Sequence, residues 1–320
     1  MEPLTTLGIA SGAGSNYPDC CMAPIVLKNS SFFNGALEDM GMQLEWEPFL
    51  YTHRIERPWR RMADLNYRIA AETCELARHK SPFLVIAGEH STAMGVWKGV
   101  MRGLASTGEV GLIWIDAHLD AHTYTTSPSG NAHGMPLAAL LGTSDHRLSR
   151  IYGTGPYLDP DNLVIIGARS YEPEERLLLR KKHVKWFDRE AISRRKSLAE
   201  VIEIAVRQVT KHATRFGVSI DLDVLDPVYA PAVGTPAPEG LNDAELCAAL
   251  EILRGDHRFI GMEIAEYYPC FDHNQLTQCV ISRLISAAFG GERMPYKSLG
   301  SSTVGISSTS DPKFSSLTKR

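Results

Sequence analysis

The sequence predicts an α/β protein built on a parallel, doubly wound sheet. Short apolar runs rich in β-branched residues recur along the chain, each nearly continuous, as strands covered on both faces require. Longer stretches with helical periodicity separate them, and such strand–helix alternation builds parallel sheets. Several of the apolar runs also stop abruptly in clusters of Asp, Glu and His.

The expected strands are SPFLVIAG (81–88), EVGLIWID (109–116), DNLVIIGA (161–168), RFGVSIDLDV (215–224) and RFIGMEIAE (258–266). The expected helices cover 64–80, 133–142, 198–214 and 242–255, the last opening on Asn242 as N-cap and closing at Gly255. Residues 148–162 read as a surface loop, and the Ser/Thr-rich stretch 300–320 as a mobile tail. SGAG (11–14) reads as a plain tight turn. It is not a dinucleotide-binding loop, because Tyr17 stands where the third glycine of GxGxxG is needed. No repeat or linker divides the chain, so residues 1–320 read as one domain.

Composition narrows the function. Apolar residues are 44% and charged residues 22% of the 320, and the net charge is −4, which argues against nucleic acid or an anionic membrane as partner. The basic triplets 180–182 and 194–196 are solvated turns or helix ends. No apolar stretch reaches the 18 residues of a membrane span. The N-terminus lacks the pattern of a signal peptide. Six scattered cysteines without CxxC spacing read as mostly buried thiols in a reducing compartment. A cytoplasmic protein is expected.

In an open parallel sheet, ligands bind outside the carboxyl ends of the strands. Four expected strands end there in polar clusters: Glu89-His90, then Asp116 to His122, then Asp221 and Asp223, then Glu266; Arg169 and Glu172 follow a fifth. Buried carboxylates in such numbers repel one another unless cations compensate them. Asp116, Asp120, Asp221 and Asp223 carry four negative charges and so balance two divalent ions, with His90 and His118 adding one imidazole each. Residues two apart in extended chain point the same way, so Asp221 and Asp223 aim at one spot, as Asp116, His118 and Asp120 do where their strand enters its loop. Carboxylate-rich ligation without thiolate suits Mn²⁺ best, although Zn²⁺, Co²⁺, Ni²⁺ and Fe²⁺ also match the residue types.

These segments resemble the ureohydrolases, the arginase–agmatinase family, over nearly the full chain. The matching pieces are AGEHS (87–91), WIDAHLD (114–120), SGNAHGMPLA (129–138), SIDLDVLDPVYAPAVGTPAPEGL (219–241) and EIAEYYP (263–269). The resemblance implies a three-layer α/β/α sandwich around a mostly parallel sheet of about eight strands. It implies two manganese ions, one held by His90, Asp116, Asp120 and Asp221 and the other by Asp116, His118, Asp221 and Asp223, with Asp116 and Asp221 bridging. The segment TSPSGNAHGMPLA (126–138) is similar to bacterial arginases. It implies that Ser129 and Asn131 meet an α-carboxylate, and RSYEPEER (169–176) that Glu172 and Glu175 hold an α-amino group. A homo-oligomer, trimer or hexamer, is implied as well. The chain departs from the family at Glu89 and Glu172, where aspartate is usual, and at His122, where an asparagine usually touches the substrate. It departs again at Tyr267 and Tyr268, expected near the pocket mouth or beneath it.

The chemistry expected is hydrolysis of the guanidinium of L-arginine to urea and L-ornithine by a hydroxide bridging the metals. Glu266 would pair with the guanidinium and His133 would carry a proton to the leaving amine. A strand-end salt bridge for Glu266 and helix capping for His133 are the plainer readings. His122 and Glu172 motivate an alternative substrate: agmatine, a guanidino acid or formiminoglutamate. A non-catalytic homologue is the third reading.

Overall fold

Runs of apolar residues form the centre of the sheet: Phe83–Ala87, Val110–Ile115 and Phe259–Ala265 are buried at every position, as strands covered on both faces must be. The structure is a computed structural model that describes residues 2–53, 57–79, 81–143 and 145–290; the stretch expected to be a mobile tail lies outside them. Its strands are β1 (Leu4–Ala10), β2 (Leu44–Trp46), β3 (Leu50–Tyr51), β4 (Phe83–Ala87), β5 (Val110–Ile115), β6 (Leu163–Ile166), β7 (Lys185–Phe187), β8 (Arg215–Asp221) and β9 (Phe259–Ala265). They form one sheet in the order β2-β1-β4-β9-β8-β5-β6-β7, with β3 also paired to β1. Every pairing is parallel. Among the described residues the sheet thus has nine strands where about eight were expected.

Period-two alternation turns this sheet into the middle of three layers. Leu84 and Ile86 of β4, Ile113 and Ile115 of β5 and Val218 and Ile220 of β8 pack in one core with helices Leu198–Val209, Asp243–Leu250 and Leu276–Phe289. Val85, Ala87, Leu112 and Trp114 face the opposite core, made with helices Pro58–Arg78, Ala93–Leu104 and Pro136–Leu140. The helices Pro58–Arg78 and Ala93–Leu104 touch closely through Gly99, where an added Cβ would lie 2.5 Å from the Ala70 carbonyl.

Asn242 caps its helix as expected, accepting from the amides of Ala244 and Glu245. The expected loop 148–162 is corrected at its start, since His146–Tyr152 is a helix. Asp145 caps it, accepting from Arg147 N and Leu148 N, and Leu148, Ile151 and Tyr152 are buried. Seven residues are too few for periodicity to reveal. The cysteines also differ from expectation: Cys20 and Cys74 are buried, Cys21, Cys247 and Cys279 half-buried and Cys270 exposed, all as free thiols. Among the described residues, no helix is long and apolar enough to cross a membrane.

Candidate active site

The strand order explains why distant segments meet. The chain passes from β4 to β5 across a gap that β8 and β9 later fill, so β4, β9, β8 and β5 lie side by side. Their registers level the carboxyl ends: Ile86 pairs with Ile264, Asp221 with Ala265 and Ile115 with Ile220. His90 leaves β4, Glu266 leaves β9, Asp221 ends β8 and Asp116 leaves β5. Such a switch in strand order is where doubly wound sheets open a crevice.

Two sets of side chains face one another there. His90 Nδ1 lies 3.4 Å from Asp116 Oδ2, 3.2 Å from Asp120 Oδ2 and 3.3 Å from Asp221 Oδ2. His118 Nδ1 lies 3.6 Å from Asp116 Oδ1 and 3.0 Å from Asp223 Oδ2. Asp116 therefore offers one oxygen to each set. Asp221 belongs to the His90 set, and its other oxygen accepts from the Asp223 amide at 2.9 Å. Simple strand alternation does not produce this convergence. Asp223 sits in the 3₁₀ turn Leu222–Val224, and Asp120 takes a left-handed φ of 47°, so turns aim both groups.

The His90 ring is fixed from behind. Its Nε2 lies 2.9 Å from Ser219 Oγ, which donates to Glu263 Oε2 at 2.9 Å; Trp97 Nε1 donates to the same oxygen at 3.0 Å. Because the serine proton goes to Glu263, the serine oxygen accepts from Nε2–H. That leaves Nδ1 as the atom facing three carboxylates. The ring also stacks on Trp114 at 4.1 Å, and Trp114 Nε1 donates to Asp116 Oδ2.

A cation fits this donor set. Among the described residues, His90 Nδ1 and Asp120 Oδ2 are buried without a hydrogen-bond partner, an arrangement costly unless something positive lies between them. Burial, and then the charge of Asp116, push Asp120 up to about 8. Burial and the neighbouring Asp223 and Asp116 also raise Asp221. For His90 and His118 burial acts downward, but the facing carboxylates outweigh it and raise both. Protons held in this way are what divalent ions displace from such a cluster. His90, Asp116, Asp120 and Asp221 could hold one ion and Asp116, His118 and Asp223 another. Four carboxylates then balance two divalent ions.

Glu266 and His133 are brought together beside this cluster. Glu266 is buried, with a left-handed φ of 66°. Its Oε1 accepts from the His90 amide at 2.8 Å and lies 3.3 Å from His133 Nδ1. Among the described residues its Oε2 has no hydrogen-bond partner. Burial opposes a charged His133, but the hydrogen bond to Glu266 and its charge prevail and raise the imidazole to about 9. His133 sits in the 3₁₀ turn Ala132–Gly134, ahead of helix Pro136–Leu140, rather than capping that helix with its side chain.

The segment between Asp120 and His133 projects as a loop whose two ends are tied together. His122 N donates to Gly134 O at 3.0 Å and Leu137 N to Asp120 O at 2.9 Å. Ser129 lies exposed on it, its Oγ accepting from Asn131 N at 3.2 Å; Asn131 is half-buried. His122 Nε2 lies 2.9 Å from Glu172 Oε2 and 3.4 Å from Glu175 Oε2. Glu175 is buried and accepts from the amides of Ala121 and Glu172, each at 3.0 Å, whereas the Glu172 side chain is half-exposed.

Several residues support the cluster from outside it. Arg169 was placed at this rim, but its guanidinium donates to five backbone carbonyls, those of Gly167, Asp223, Val224, Ala237 and Pro238. It thereby ties down the segment that carries Asp223. Thr235 donates to Asp223 Oδ2 at 2.9 Å, and nothing local in the sequence marks it. Glu263 did carry a signal, as an acid in the middle of the apolar run FIGMEIA. Glu89 extends its longer arm to Ser91, accepting from its amide at 2.9 Å and its hydroxyl at 2.8 Å. Tyr267 and Tyr268 are both buried, so neither stands at an open mouth; their hydroxyls meet Asp272 Oδ2 and Ser15 Oγ.

Comparison with known proteins gives the family. The Arginase family profile matches residues 4–290. The arginase of Bacillus caldovelox is 31% identical over 307 residues, covering 92% of this chain and all of that one. The arginase of Brevibacillus brevis is 32% identical, over 90% and 97% of the two chains. The native crystal structure of Bacillus caldovelox arginase superposes with a TM-score of 0.81 at 30% identity, covering 92% of this chain and 100% of that one. Bacillus subtilis arginase gives 0.80 with the same identity and coverage.

Proposed function

The chain belongs to the arginase family, and from that premise we propose that it hydrolyses L-arginine to urea and L-ornithine with two manganese ions. Its class, a hydrolase acting on the guanidino group, follows from the family. One observation carries the metal reading: Asp116 offers one oxygen to the His90 set and the other to the His118 set. In this proposal the two ions would share Asp116, with Asp221 completing the set around His90. A pair of divalent ions, when bound, lowers the pKa of water from ~15.7 towards neutrality and so supplies hydroxide at physiological pH.

The chain's own residues do the rest. Glu266 Oε1 is held by the His90 amide and His133, so Oε2, buried and unpartnered among the described residues, is the oxygen left for a guanidinium N–H. That contact orients the guanidinium carbon for attack. His133, raised to about 9 by Glu266 once burial is overcome, holds its proton at neutral pH and delivers it to the departing amine. Ser129 and Asn131 take the α-carboxylate, and the half-exposed Glu172 takes the α-ammonium, with His122 and the buried Glu175 behind it. The same proposal makes the protein a cytoplasmic homo-oligomer, a trimer or hexamer, which sedimentation and fractionation would test.

A second reading keeps the chemistry and changes the substrate to a guanidino compound without an α-amino group. The His122 ring, 2.9 Å from Glu172, favours it by engaging the acceptor an ammonium would use. The deciding experiment is urea release after Mn²⁺ loading, with L-arginine, agmatine and a guanidino acid run in parallel. Preference for arginine is expected; good turnover of agmatine or the guanidino acid with none of arginine would reject the arginine assignment.

A further inference from the structure

One three-residue segment holds His133 from two directions. Glu266, the first residue past β9, binds the His133 ring through Nδ1 at 3.3 Å. Two residues on, the Tyr268 hydroxyl lies 2.9 Å from Ser15 Oγ. Ser15 follows Gly14, whose carbonyl accepts from the His133 amide at 3.1 Å. The ring is therefore gripped directly by Glu266, and the backbone indirectly by Tyr268, through the loop that closes β1.

The loop has little room to move elsewhere. Ser11 Oγ donates to Glu89 Oε1 at 3.4 Å, accepts from Thr52 Oγ1 at 3.1 Å and accepts from Ala13 N at 3.2 Å. A Cβ added to Gly14 would lie 2.3 Å from Glu89 Oε2, so glycine lets the loop pack against that buried carboxylate. Tyr268 is itself immobilised: it is fully buried, its amide donates to Ala232 O at 2.9 Å, and its ring stacks on Phe271.

We propose that Tyr268 and Ser15 are positioning residues for His133, their hydrogen bond setting the height of the Gly14 carbonyl from which the His133 backbone hangs. Neither touches the reacting atoms. The inference rests on the reading of His133 as the proton carrier in arginine hydrolysis. Removing the Tyr268 hydroxyl loosens the backbone tether while leaving the Glu266 contact, so the ring samples positions away from its working one.

The test uses the manganese-loaded protein and the variants Tyr268→Phe and Ser15→Ala. Each is expected to lower kcat about tenfold, short of the ~10²-fold lost when a proton-transfer group is removed outright. KM and metal content should stay within about twofold. The double variant should be no worse than Ser15→Ala alone, which also removes the acceptor of the Tyr17 amide at 3.2 Å, and Ser15→Thr, which keeps a hydroxyl, should recover turnover. Crystal structures of the variants should show the His133 ring in more than one position or withdrawn from Glu266. Wild-type turnover in both single variants, or a fall in turnover that tracks lost metal, would overturn the inference. Should Tyr268→Phe fail to fold, Ser15→Ala decides by the same measurements. Should the wild-type protein turn over no guanidino compound, the functional reading fails and the position of the ring in the variant crystals alone judges this one.

Discussion

Replacing Ser219 with alanine removes one hydroxyl from behind the ligand cluster, without replacing any residue assigned to a metal. That hydroxyl lies 2.9 Å from His90 Nε2 and 2.9 Å from Glu263 Oε2. Glu263 keeps Trp97 Nε1 at 3.0 Å and a long contact to Thr92 Oγ1 at 3.5 Å. The buried His90 ring loses the partner that fixes its orientation. Depriving a buried polar group of its partner costs ~1–3 kcal/mol of stability, and the melting temperature of a chain this size should fall by roughly 1.5 °C per kcal/mol. Loss of the outer partner of a ligating histidine typically weakens metal binding ~10–100-fold. Mn²⁺ titration by calorimetry on metal-stripped protein reads the second effect, and thermal unfolding of the metal-free form reads the first. Metal affinity within twofold of wild type, alongside a lowered melting temperature, would refute the reasoning: Ser219 would then serve packing alone, and His90 Nδ1 would not be a ligand.

Other consequences are as direct. Asp116→Ala should strip both ions and abolish urea release, because the carboxylate faces both histidine sets; full occupancy by elemental analysis would contradict a shared role. His133→Ala should cut turnover ~10²-fold with metal retained, a result checked by pairing steady-state rates with metal content. Asn131→Ala should raise KM for L-arginine but leave KM for agmatine, which lacks a carboxylate, unchanged; equal effects on both would remove Asn131 from carboxylate recognition. Away from the site, the Arg258 guanidinium grips Asp256 through two contacts, at 2.7 and 3.0 Å, its amide adds a third at 2.9 Å, and these hydrogen bonds hold that carboxyl below its usual range. A depressed folded value adds stability above the unfolded value of ~3.9 that is lost as pH falls through the folded one. Asp256→Asn should therefore destabilise at pH 7, by less than ~1 kcal/mol since the pair is partly exposed, and by less at about pH 3, below the unfolded value. Urea unfolding at both values decides, and an equal loss at both would refute it.

The sequence by itself determined where the chemistry would gather. An apolar run that stops at a cluster of Asp, Glu or His marks a buried strand and its carboxyl end together, so His90, Asp116, Asp221 and Glu266 could each be assigned to one rim from local pattern alone. The same logic failed for short or glycine-interrupted elements. The helix Ala93–Leu104 carries Gly95, Gly99 and Gly103, and the seven residues of His146–Tyr152 are too few to show a period. The pairing of ligands was decided only by tertiary structure. Alternation ends with the strand at Ile115 and Asp221, and turns then divide the carboxylates, giving Asp221 to His90 and Asp223 to His118. The supports behind them are further still from local pattern. Ser219 meets His90 across 129 residues and Ser15 meets Tyr268 across 253. Periodicity records which face of an element is buried, but it holds no information about which distant hydroxyl will stand against that face once the layers close.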